Sequence, residues 1–185
     1  EDGHLRLLLA RPVGRFRLLL LKFLTCQLYS VCLIQFLAWS AFLLGMLLCG
    51  WGGGFFFWLL DVDFVALYSW EEGIKRYAIG MFAMGLSLTV MSSVAFFLSC
   101  FRIKPAAATI GALAYLLADY IVRLNGVMHN YKHFLLTHHM SVWTRLFAEN
   151  IDWPLIWRGY AVVFAVNVTL FTLGYAVFES RDLKS

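Results

Sequence analysis

The densest group of side chains able to do chemistry lies in HNYKHFLLTHH, which sets His129 and His133 four residues apart and His138 beside His139. On a helix the first pair shares a face, and two imidazoles so placed can hold a transition metal. The rest of a metal centre is missing. His133 to His139 does not give the HxxHH spacing of a di-iron box, and no neighbouring carboxylate completes a ligand set. These residues favour an aromatic, amphipathic loop with pH-sensitive charge; a membrane metalloenzyme built on them is the alternative. Elsewhere there is no G-x-x-x-x-G-K-[ST] loop for nucleotide phosphates, no nucleophile motif and no carboxylate pair. Cys26, Cys32, Cys49 and Cys100 lie in apolar segments without C-x-x-C spacing, so they read as small buried thiols rather than zinc ligands or a disulfide framework.

The elements that carry these residues must be membrane helices. Of 185 residues, 62% are hydrophobic and 14% charged, where soluble domains run near half and a quarter. A soluble fold of this size cannot hide that much apolar surface. An all-α integral membrane protein is expected, and the net charge of +4 then reports the sidedness of loops rather than affinity for nucleic acid.

Four stretches are long and apolar enough to cross a bilayer: about 18–49, 77–101, 106–124 and 159–178. The first exceeds one crossing, so it must tilt or continue as helix beyond the hydrocarbon. Cutting it in two at Gly45 would bury an uncharged turn in lipid, which unsatisfied backbone groups forbid. Loops of 50–76 and 125–158 join the spans; the first reads as an interfacial aromatic segment and the second as short helices, with Trp143, Trp153 and Trp157 at the interface. The basic foot from Arg6 to Lys22, the turn with Arg102 and Lys104, and the tail with Arg181 and Lys184 all fall on one side. Positive-inside asymmetry makes that side cytoplasmic, with both visible termini in and the long loops out.

Inside the spans, Ala78, Gly85, Ser92 and Ser99 recur every seven residues, and Ala107, Gly111, Ala114 and Ala118 share a face of the third. Both read as helix–helix seams. Asp119 and Arg123, four apart, are either an intrahelical ion pair or part of a polar path. Gln27, Gln35 and Asn167 can bridge helices or line the same path.

The opening stretch, EDGHLRLLLARPVGRFRLLLLKFL, resembles the cytoplasmic segment of ABC-2-type transporter permeases, where an acidic residue, a leucine-rich turn, an RPVSR-like break and a basic LLLxK lead into a long span. Gly14 stands where serine is common. CFRIKPAAATIGALAYLL is similar to that family's turn between its fourth and fifth spans, and the closing YAVFESRDLKS to its last span and tail. The resemblance implies six spans, of which four are visible here and two are expected upstream of Glu1. It implies a coupling helix over residues 1–16, with Glu1, Leu7, Leu8, Leu9, Arg11, Pro12 and Arg15 at the matching positions. It also implies a cytoplasmic ABC ATPase partner that binds the ATP, a second permease copy or homologue, membrane lipid around both, and a bacterial or archaeal plasma membrane. The chain itself is then no enzyme and holds no cofactor or metal. A non-transporting membrane scaffold is the remaining alternative. No residue selects the substrate.

Overall fold

The computed structural model describes residues 14–59, 64–101, 103–124 and 134–182. Four helices in it are long and apolar enough to cross a membrane, which makes the chain an integral membrane protein. The first, α1 (Arg15–Cys49), runs unbroken through Gly45, because in lipid a helix is the one local structure that satisfies its own backbone. It stops at Gly50, whose φ of +87° is open to glycine at no steric cost. The Gly50 N–H closes the helix on the Met46 carbonyl at 3.0 Å.

Beyond the glycine-rich turn the chain departs from an all-α fold. Strands β1 (Phe55–Leu59) and β2 (Phe64–Tyr68) form an antiparallel hairpin with Phe55 opposite Tyr68 and Phe57 opposite Ala66. The run is too short to cross as helix and rich in the aromatic and β-branched residues that suit a pleated surface. Alternation sends Phe55, Phe57, Ala66 and Tyr68 to one face and Phe56, Val65 and Leu67 to the other. The first face is anchored: the Phe55 ring lies 6.0 Å from Phe42 and 5.5 Å from Trp70, and Phe57 lies 4.5 Å from Phe147.

Helix α2 (Trp70–Ser99) is the centre of the bundle. It touches α1, β1, α3 (Pro105–Leu124), the short α4 (Leu136–Met140), the 3-10 turn Ser141–Phe147, and α5 (Trp153–Asp182). α2 and α5 begin earlier than hydropathy alone suggests, because a helix need not stop where the apolar run stops. Glu71 and Glu72 complement the first turn of α2. Asp152 caps α5 by accepting the Leu155 N–H at 3.3 Å, and Pro154 sits in the first turn, where its missing donor costs nothing.

Two apolar clusters hold the ends. Ala83, Val142, Leu146 and Ile156 pack where the 3-10 turn meets α2 and α5; Leu19, Phe23 and Phe171 join α1 to α5 at the opposite end. The third span presents a different stripe from the expected one. Ala108, Ala112 and Leu116 are buried, while Ala107, Ala114 and Ala118 are exposed. Of the expected face, Gly111 does lie against Leu98, while the buried row runs one position further along the chain, about 100° around the helix. Of the α2 stripe, Gly85 and Ser92 face α1, but Ser99 is exposed.

Candidate functional site: a polar seam through the helix bundle

The three polar residues expected to bridge helices do so, with partners the sequence did not single out. Gln27 Nε2 donates to Ser93 Oγ at 2.6 Å, and Ser93 Oγ donates to Asn167 Oδ1 at 2.7 Å. Asn167 Nδ2 donates to Thr89 Oγ1 at 2.9 Å, whose own proton goes to the Leu86 carbonyl at 2.6 Å. These bonds form one directional relay from α1 through α2 to α5 and back, ending on a helix backbone. Ser93 and Thr89 are buried, and each hydroxyl also has a carbonyl of its own helix within reach, that of Thr89 for Ser93 and that of Leu86 for Thr89. The Gln27 carbonyl oxygen is buried without a hydrogen-bond partner among the described residues.

The seam continues toward the hairpin end. Ser30 and Ser92 share a short hydrogen bond, Gln35 Nε2 donates to the Met81 carbonyl at 2.9 Å, and Tyr77 donates to the Ala38 carbonyl at 2.7 Å. On the α5 side Tyr160 donates to the Ala83 carbonyl at 2.8 Å. All these groups are neutral donors and acceptors. The arrangement can hold three helices in register and offer polar contacts at membrane depth.

A second constellation caps the hairpin end. Arg76 on α2 donates through Nε and Nη2 to Glu72 Oε1 at 3.0 and 2.8 Å, and through Nη1 to the carbonyls of Leu146 and Ala148. Its guanidinium lies 4.3 Å from the centre of the Tyr68 ring. Tyr68 donates to the Phe147 carbonyl at 2.8 Å, and burial pushes its phenol above the usual range. The Phe147 ring fills the notch at Gly80, where an added Cβ would collide with Cζ. Nothing in the sequence pattern marked Arg76; its carbonyl partners are some seventy residues away.

Asp119 and Arg123 act together on one distant residue. Asp119 Oδ2 accepts the Thr137 N–H at 2.8 Å and Arg123 Nη1 donates to the Thr137 carbonyl at 3.1 Å, pinning the start of α4 to the end of α3. His138 and His139 ride on α4 with their rings edge to face at 5.4 Å; His129 and His133 lie outside the described residues. Among the described residues no group of three His, Cys, Asp or Glu is placed to hold a metal ion. Trp153 and Trp157 are exposed, whereas Trp143 packs against the Val142 cluster. Of the expected coupling positions, Glu1, Leu7, Leu8, Leu9, Arg11 and Pro12 lie outside the described residues, and Arg15 opens α1. Compared with models of known families, with curated proteins and with solved structures, the chain matches none.

Proposed function

We propose that the chain is the membrane-spanning permease subunit of an ATP-driven exporter of the ABC-2 type, working with a cytoplasmic ATPase and a second permease copy or homologue. The observation that carries this reading is mechanical continuity. The Pro12-Val13-Gly14 break is followed at once by α1, a rigid helix from Arg15 to Cys49, and α1 is tied by Gln27 and Gln35 to α2, and through Ser93 to α5. A segment lying on the membrane before that break can be pushed by a partner, and the push travels along α1 into the polar seam. The ordered likeness of the opening stretch, the FRIKP turn and the RDLKS tail to such permeases supports the same reading.

In this account the four helices are the last four of six spans, with both visible termini in the cytoplasm. The dense basic run from Arg6 to Lys22 and the short turn with Arg102 and Lys104, against six cations spread over the much longer loops at the other end, support that orientation. Hydrolysis is the partner's chemistry; this chain supplies coupling and the path. The test is to purify the full-length protein in gentle detergent by a C-terminal tag and identify what comes with it. A stoichiometric ATPase is expected, lost when Leu7, Leu8 and Leu9 are replaced by aspartate. Purification without an ATPase, and with bound iron or zinc, would move the function to the histidines.

A further inference from the structure

At the hairpin end, two stretches far apart in sequence are seated on the helices by the same device. Gly73 and Gly80 on α2 and Gly159 on α5 leave notches that other residues fill. The Phe55 ring of β1 lies over Gly73, while Phe147 and Val142 of the 3-10 turn lie over Gly80 and Gly159. A Cβ at any of the three would collide with those side chains, so each segment rests directly on helix backbone.

The two segments are also tied to each other. The Phe57 ring of the hairpin lies 4.5 Å from Phe147, and the Tyr68 hydroxyl donates to the Phe147 carbonyl at 2.8 Å. Arg76 joins both to α2. Its guanidinium sits 4.3 Å from the centre of the Tyr68 ring, donates to the carbonyls of Leu146 and Ala148, and is steadied by Glu72. Lifting the turn strips Tyr68 and Arg76 of their acceptors, and lifting the hairpin takes Tyr68 from both partners. A buried donor left without its acceptor costs more than a made bond contributes, so the departure of either segment weakens the seat of the other. Such mutually supporting segments open together, as cooperative units.

What lies beneath gives the pair a role. The face of α2 under the two segments runs from Gly73 to Ala83, where Ala83 packs with Val142, Leu146 and Ile156. One turn further the polar row begins with Ser87, whose hydroxyl reaches that of Tyr160 at 3.3 Å, and continues through Thr89 to Ser93. Ser87 is 1% and Ser93 0% accessible. The Ala83 cluster is the apolar layer above that row, and Val142 and Leu146 in it belong to the 3-10 turn. We infer that the β1–β2 hairpin and the 3-10 turn are a single lid, latched by Arg76, that opens as one unit and shuts water at the hairpin end out of the polar row on α2. The lid needs only the packing described, and stands whether or not the chain transports anything.

The test is the reactivity of a buried thiol in the full chain in detergent micelles, with the four native cysteines replaced by alanine. Ser87→Cys reports the row beneath the lid. Ala108→Cys, on the buried face of α3, reports opening of the bundle elsewhere. Towards a charged, water-soluble methanethiosulfonate, Ser87→Cys is expected to react slowly behind the native lid. It should react severalfold faster when Gly73→Ala unseats the hairpin alone, and again when Arg76→Gln removes the latch, while Ala108→Cys keeps its rate. A Ser87→Cys rate that answers to only one of the two variants, or to neither, overturns the single latched lid. So does rapid labelling behind the native lid, and so does a rise shared by Ala108→Cys, which would mean that the variants loosen the whole bundle.

Discussion

Replacing Asn167 by alanine removes both the acceptor of the Ser93 hydroxyl and the donor to Thr89. Interhelical hydrogen bonds in membranes average about 0.6 kcal/mol each, so the two bonds together set an expected loss of roughly 1–2 kcal/mol, measurable by steric trapping or reversible unfolding in micelles. Asn167→Leu, which keeps the volume, should cost nearly as much, since it leaves the buried Ser93 and Thr89 hydroxyls to fall back on carbonyls of their own helix. A neutral result for both variants would show that the relay contributes nothing to cohesion. Tyr68 gives the pH-dependent counterpart. Burial raises its pKa, so the folded protein holds the phenol proton longer than the unfolded chain does. The stability linked to it is whole below pH about 10 and is lost as pH rises through the higher folded-state value. Alkaline unfolding curves should show this loss in the parent protein and lack it in Tyr68→Phe. Gln27, Gln35 and Asn167 were legible in the sequence because an amide in an apolar helix must find a partner. Thr89 and Ser93 were not, because hydroxyls can bond their own helix and so raise no alarm; Ser93 also reaches the Thr89 carbonyl at 3.2 Å.

At the scale of elements, the 3-10 turn Ser141–Phe147 is seated by a ring in a glycine notch and by two side chains on its backbone. Gly80→Ala places a methyl against the fully buried Phe147 ring. Overpacking of this kind costs about 1–3 kcal/mol, and cleavage by trypsin at the exposed Arg145 should accelerate accordingly. Arg76→Lys should accelerate it too, since one ammonium cannot hold the Glu72 carboxylate and the carbonyls of Leu146 and Ala148 as the guanidinium fork does. Unchanged cleavage in both variants would mean the turn is held by the Val142 and Leu146 contacts alone. The spans themselves were readable from hydropathy and charge, including the passage of α1 through Gly45. The hairpin was not: a short aromatic run fits an interfacial coil as well as a strand, and only the docking of Phe55 and Phe57 on Phe42 and Phe147 decides it. The packed face of α3 was hidden for a related reason. Alanines lie on several sides of that helix, and composition does not say that Leu116 belongs with the packed row.

For the whole molecule, four long apolar helices gather on α2, and a neutral polar seam ties α1, α2 and α5 together; the proposed function requires motion of α1 to pass through that seam. The most direct measurement is a distance across that bundle in the full-length protein, reconstituted in lipid with the ATPase that the proposed function expects to co-purify. Spin labels at Tyr29→Cys on α1 and Val168→Cys on α5 occupy exposed positions away from the seam, in a chain whose native cysteines are replaced by alanine. A non-hydrolysable ATP analogue should shift the distance distribution from that seen with ADP, and a charged replacement of Leu7, Leu8 and Leu9 should abolish the shift. Identical distributions with both nucleotides, while the ATPase is bound and hydrolysing, would contradict the account.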